Sequence, residues 1–322
     1  MEQTDNVHGL QPVSPIKGAI FKEPLETMLA SFKIACEWLT EIGIPTSATR
    51  YGKYQRIFDK CFSSPPGMAA LDFTEESKVA FENAYEEANE LVRLHADLTR
   101  IASQEFLNQI KVVGSGQEFR ANVDNDQARD FLFELSTAAR FIRAGYHVAL
   151  NTISDIVVTL DDKAELHVEC KRLKSANRIE RNLKKAHSQL NERMVRAPKG
   201  SFGMAALDFT DLLPPRPNLV LPSFELASRQ LAARLAVVLQ ANQDALTRVR
   251  PTPWNIGVLC SAIGMYYFTD RGTGLDGLSY ARHTSYIQYL PAGTMGAAFL
   301  RSVAETLKGQ DIYRDSLPLH SL

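Results

Sequence analysis

The sequence predicts a mixed α/β protein, and three observations carry that expectation. Over the first hundred or so residues the apolar positions recur at helical spacing, with no strand pattern between them. After Val112 the pattern changes to a helix, three short alternating strands, a basic helix and a further strand. The last hundred residues add a helix, two strands joined by a Gly-rich turn, and a closing helix.

Residues 1–22 are polar and read as a flexible arm, and residues 23–112 as a helical N-terminal region. Within it, Leu25, Met28, Leu29, Phe32, Ile34 and Leu39 mark a helix over Glu23–Gly43, ended by Pro45. A short helix follows over Tyr51–Cys61. Thr74 then caps one long helix reaching Gln109, with Phe81, Ala84, Ala88, Leu91, Val92, Leu98 and Ile101 on its apolar face. Residues 113–217 form the α/β core. Its helix over Gln127–Ala144 stops at Gly145, its strands are Tyr146–Leu150, Asp155–Leu160 and Glu165–Leu173, its basic helix is Asn177–Val195, and its last strand is Phe202–Phe209. Residues 218–322 form an α/β extension: a helix over Phe224–Arg248, strands over Ile256–Phe268 and Ser279–Leu290, and a helix over Thr294–Leu307. The octapeptide Gly67–Thr74 recurs identically as Gly203–Thr210, in a different context and without a wider repeat.

Composition sets limits. Of 322 residues, 45% are hydrophobic and 23% charged, which supplies a sizeable core and excludes bulk disorder. No apolar run reaches roughly 18 residues and the N-terminus has no apolar signal core, so a cytoplasmic protein without membrane association is expected. Cys36, Cys61, Cys170 and Cys260 lack zinc or redox spacing and are expected as small buried side chains. The net charge is -1, yet residues 166–200 hold ten basic and three acidic side chains, and residues 75–100 hold seven acidic and three basic. That asymmetry marks a local anion-binding face.

The chemistry is concentrated between Asp155 and Lys171. Pairing Leu160 with Ala164 across Asp161-Asp162-Lys163 sets Val158 against Leu166 and Ile156 against Val168, and brings Asp155 opposite Glu169. Alternation then puts Ile156, Val158, Leu160, Leu166, Val168 and Cys170 on one apolar face, and Asp155, Glu169 and Lys171 on the other. Facing carboxylates repel unless a cation lies between them, and their hard oxygens suit Mg²⁺ or Mn²⁺, with the backbone carbonyl of Cys170 as a further donor. Lys171 is placed to orient an attacking water or to stabilise charge on a phosphorane. Glu134 shares a helix face with Phe131, Ala138 and Phe141, where an isolated carboxylate is costly without a metal or bound water nearby.

This arrangement resembles the PD-(D/E)xK nuclease superfamily, the restriction-endonuclease-like fold. The resemblance covers residues 127–210, about a quarter of the chain. It implies a core of helix, three strands, helix and strand, and hydrolysis of phosphodiester bonds with a 5′-phosphate product. Asp155 takes the place of the superfamily's aspartate, Glu169 and Lys171 of its E-x-K, and Glu134 of the acidic residue many members carry on the first helix. Ser154 replaces the proline before the aspartate. Lys184 and Gln189 lie near where some subfamilies carry auxiliary residues, while Arg193 stands in place of a tyrosine found in one of them. The expected metal ligands are Asp155, Glu169, the Cys170 carbonyl, and Glu134 directly or through water.

Arg178, Arg181, Lys184, Lys185, Gln189 and Arg193 on the basic helix are candidates for holding nucleic acid by its phosphates. The resulting expectation is a divalent-metal-dependent endonuclease acting on DNA, working as a homodimer or with a second protein. A role in prokaryotic restriction or antiviral defence follows by fold analogy alone. The rival readings are an RNA-cleaving enzyme on the same core and a non-catalytic interaction scaffold. His167 is expected as a structural histidine on the site face. Tyr266, Tyr267, Phe268, Tyr280, Tyr286 and Tyr289 are expected to pack in the sheet rather than to stack bases. Gly272 and Gly274 belong to a hairpin turn.

Overall fold

A computed structural model describes residues 25–62, 75–101, 103–118, 126–150, 155–160, 164–214, 220–248, 252–269, 276–308 and 310. Helices α1 (Leu25–Glu41), α2 (Arg50–Phe62), α3 (Glu75–Leu98) and α4 (Gln104–Gly114) come first. The long helix expected from Thr74 to Gln109 is two helices. Helix α3 ends at Leu98 and α4 begins at Gln104, and Ser103 caps the second helix by accepting from the Phe106 N–H at 3.2 Å. Side-chain periodicity continues across the break, so only the cap marks it.

The sheet has six strands: β1 (His147–Ala149), β2 (Ile156–Thr159), β3 (Glu165–Arg172), β4 (Phe202–Asp208), β5 (Asn255–Thr269) and β6 (Asp276–Gln288). They lie side by side in chain order. Pairs β1–β2, β2–β3 and β5–β6 are antiparallel, while β3–β4 and β4–β5 are parallel. Each parallel pair needs a crossover. Helix α6 (Ile179–Met194) provides the first, and α7 (Phe224–Ala241) with the short α8 (Gln243–Thr247) the second. The single helix expected over Phe224–Arg248 is thus interrupted at Asn242. Strands β5 and β6, in the expected C-terminal extension, continue the same sheet, and α9 (Met295–Lys308) follows them. The second copy of the repeated octapeptide forms the buried strand β4 and the turn after it. The first copy, the arm, Ser154, the Asp161–Lys163 turn and the Gly272–Gly274 turn lie outside the described residues.

Two apolar clusters hold the layers together. On one face, helix α5 (Gln127–Arg143) packs Leu132, Leu135, Ala138 and Phe141 on Ile156, Val158, Leu166, Val168 and Cys170. The N-terminal helices and α9 join that cluster. On the other face, Leu173, Ile179, Leu183 and Ala186 meet Ala205, Leu207, Val258 and Cys260, with α7 alongside. Each fully buried leucine or isoleucine contributes about 1.5–3 kcal/mol. Tyr266 and Tyr280 are buried in these clusters, and Tyr267, Tyr286 and Tyr289 pack against them, so they serve as core aromatics.

Two glycines fix the geometry near the sheet. Gly145 follows α5 at φ 90°, and its N–H bonds to the Ile142 carbonyl at 2.9 Å, which ends the helix and turns the chain into β1. Gly257 sits at φ 151° where the β4–β5 register shifts, and a Cβ there would lie 2.1 Å from the Ile287 carbonyl oxygen.

Candidate active site

The β2–β3 register is Ile156 against Val168, Val158 against Leu166 and Thr159 against Glu165. The Leu160 N–H bonds to the Ala164 carbonyl at 2.8 Å and closes the hairpin. The apolar alternation fixes this register, because a one-residue slip would send Ile156 and Val158 to the wrong face. Asp155 therefore stands at the mouth of β2. Its Oδ2 accepts the Cys170 N–H at 2.6 Å, filling the place of a further ladder bond. The carbonyl of Cys170 leaves the strand on that same side, as it does at any hydrogen-bonded antiparallel position.

Lys171 lies between the two facing carboxylates. Its Nζ is 3.7 Å from Asp155 Oδ2 and 3.5 Å from Glu169 Oε2. Burial opposes its charge, but Asp155 and Glu169 outweigh burial and hold the ammonium above its ordinary pKa. Glu169 is fully buried. The reason is topological. β3 is an inner strand with α5 over one face and α6 over the other. Burial first, and the charge of Asp155 second, push the Glu169 carboxyl up to about 7. Its Oε1 lies 3.8 Å from Nε of Arg193 on α6.

Glu134 projects from α5 toward the same place. Burial, followed by Asp155, raises its pKa to about 9; Lys171 opposes the shift and Glu169 adds to it. Three acidic groups and one lysine thus act on one another at the open end of β2. Among the described residues no three His, Cys, Asp or Glu side chains are close enough to hold one ion together. By donor chemistry alone, the two carboxylates and the Cys170 carbonyl are hard oxygens that suit a divalent ion. Mg²⁺, which keeps several waters and takes only one or two carboxylates, binds in that way. Burial first and the charge of Asp155 second raise both carboxyl groups, and a cation beside them would offset the second of these.

The neighbouring candidates separate. Cys170 is buried in the apolar cluster, and burial pushes its thiol well above its ordinary pKa, so it is no nucleophile. His167 pairs with Glu165 at 2.9 Å, and burial keeps its pKa low despite that partner. On α6 the buried seam is Ile179, Leu183, Ala186 and Leu190. Arg193 flanks this seam, three residues after Leu190, and reaches Glu169. Gln189 lies one turn earlier on the same flank. Arg181, Lys184 and Lys185 are exposed, and Lys184 is held by Glu180 at 2.6 Å, which in turn meets Arg248 at 3.7 Å. Arg178 stands half-buried at the start of α6.

Sequence reasoning missed a buried ionic chain behind the site. Arg50 on α2 meets Glu87 on α3 at 3.0 Å, and Glu87 meets Arg129 on α5 at 2.7 Å. Arg129 bonds Asp126 at 3.0 Å, and Asp126 bonds Arg172 on β3 at 3.2 Å. Asp126 also caps α5 by accepting the Arg129 N–H. The sequence signal was Asp126 as a cap, because the links from Glu87 to Arg129 and from Asp126 to Arg172 span 42 and 46 residues. Compared with protein-family models, curated proteins and solved structures, the chain matches none of them.

Proposed function

We propose that this chain is a divalent-metal-dependent nuclease, with DNA as its substrate and internal phosphodiester bonds as its target. The observation that supports it most is Lys171 within 3.7 Å of both Asp155 and Glu169 in a setting where one carboxylate is fully buried. Mutually repelling buried carboxylates are costly to maintain for structure alone, and such groups gather at functional sites. Asp155, Glu169 and the Cys170 carbonyl would hold Mg²⁺ or Mn²⁺, with Glu134 supporting it. When bound, such an ion supplies Lewis-acid stabilisation of charge on the phosphate.

The chain's own residues supply the rest. Lys171 presents its ammonium to the charge that gathers on the phosphate oxygens. A water oxygen bonds to phosphorus, the bond from phosphorus to the 3′ oxygen breaks, and a 5′-phosphate remains. The water releases one proton to solvent and the 3′ oxygen takes one back. Arg178 and Lys185, on or near the site flank of α6, hold the backbone of the substrate. Two active sites serve two strands, so the working species is a homodimer or a complex with a second protein. Among the described residues no helix is long and apolar enough to cross a membrane.

Incubation of the purified chain with DNA and RNA substrates, with and without Mg²⁺, tests this. Mg²⁺-dependent cleavage of DNA leaving 5′-phosphates is expected. Cleavage of RNA alone would replace the substrate, and no cleavage of either with Mg²⁺ or Mn²⁺ would refute the enzyme.

A further inference from the structure

Glu169 has a different cation at each oxygen. Lys171 faces Oε2 at 3.5 Å, and Arg193 faces Oε1 at 3.8 Å. The second approach is too long for a hydrogen bond. Both atoms, Nε of Arg193 and Oε1 of Glu169, are buried, and neither has a hydrogen-bond partner. Leaving a buried donor and a buried charged acceptor unmet is costly, and native structures rarely do so without a reason. The Arg193 side chain is 25% exposed, so its guanidinium runs from the buried carboxylate toward solvent.

The chemistry of these two atoms defines what satisfies both. Nε–H needs an acceptor and Oε1 needs a donor, and 3.8 Å is short enough for one atom to touch both. A phosphate oxygen accepts only, and would be repelled by the carboxylate. A metal ion on Oε1 would leave the Nε–H without an acceptor. A water or hydroxyl oxygen accepts from one and donates to the other.

Resting on the nuclease reading above, we propose that Arg193 and Glu169 together hold the attacking water. The guanidinium fixes one lone pair, the carboxylate takes one O–H, and the remaining lone pair is free to face phosphorus. Lys171, on the opposite oxygen of Glu169, is left for the phosphate. Arg193 is therefore a catalytic residue rather than one more cation along the nucleic-acid path. Its position after the apolar seam of α6 sets it over β3, whereas Lys184 is held by Glu180.

Two measurements on the full chain test this. The first is kinetic. Arg193→Met should lower kcat by about 100-fold, as loss of a positioned group does, with KM and the affinity for duplex DNA in EDTA within about twofold of the parent. Arg193→Lys keeps the charge but lacks the Nε–H, and should stay within about tenfold of Arg193→Met. Near-parental kcat in either variant, or a loss confined to KM, overturns the proposal while leaving the nuclease intact. A wild-type chain that cleaves nothing overturns the nuclease reading instead. The second is a crystal structure of the wild-type chain at a resolution that shows waters. One ordered oxygen within about 3.2 Å of both Nε and Oε1 is expected. A direct Arg193–Glu169 hydrogen bond in its place would also overturn the proposal.

Discussion

Lys171 joins two residues that repel each other, so its removal separates chemistry from binding. On the proposed nuclease reading, Lys171→Ala should leave the two carboxylates to take the metal and lose stabilisation of the transition state. The raised carboxyl groups bear on stability as well. A carboxyl whose folded pKa lies above its unfolded value stays protonated in the fold while the unfolded chain ionises, so stability falls as pH rises between the two values. For Glu134 that window runs from about 4.5 to about 9, and for Glu169 from about 4.5 to about 7. Melting curves of the metal-free chain should therefore show Tm falling across this range. Glu134→Gln should flatten the fall above pH 7, and Mg²⁺ should raise Tm more at pH 8 than at pH 6. A parental slope in Glu134→Gln would show that the carboxyl is ionised in the fold. His187 has the opposite sign. Burial against Tyr289 lowers its pKa to about 4, and neither ring nitrogen has a partner. Its contribution is present above about 6.5 and is lost as pH falls toward 4. His187→Leu should therefore raise Tm relative to the parent below about pH 6.5, and by more as pH falls toward 4.

At the scale of elements, the hairpin was legible and its surroundings were not. The apolar positions Ile156, Val158, Leu166 and Val168 specify a register by themselves, so Asp155 opposite Glu169 could be read before any contact was seen. That α6 would cover Glu169 could not, because burial from both sides depends on β4 pairing beyond β3. The break between α3 and α4 was hidden by continuous periodicity, with Ser103 its only sign. Asp126 shows how one residue serves two elements, since it caps α5 and binds Arg129 and Arg172. Asp126→Ala removes the cap and leaves buried guanidinium groups without their carboxylate. A loss of about 3–5 kcal/mol in urea unfolding is expected, the range for breaking a buried pair from one side. Parental stability would show that Arg172 is satisfied by Asp130 and Asp211, at 3.6 Å and 3.5 Å. Gly257→Ala should open the β5–β6 pairing, since its Cβ has no room beside Ile287.

At the scale of the molecule, the boundaries read from sequence follow changes of pattern, whereas the packing crosses them. Phe32, Tyr51, Phe81 and Leu91 of the N-terminal helices share one cluster with Leu135 and Phe141 of α5, and with Leu300 and Val303 of α9. The ionic chain from Arg50 to Arg172 crosses the same ground. Deleting residues 1–110 would strip one face of α5, so self-association has to be tested on the full chain. Light scattering at micromolar concentration should give about twice the chain mass of 35.9 kDa. A single-chain mass at every concentration, with both DNA strands still cut, would contradict the dimer. Asp155, Glu169 and Lys171 are proposed as a metal-dependent hydrolytic site. Cleavage by wild type and Lys171→Ala, measured beside Mg²⁺ binding by calorimetry, tests it most directly. The variant should bind Mg²⁺ as the parent does and cleave at least about 100-fold more slowly. A variant that cleaves at the parental rate would contradict it.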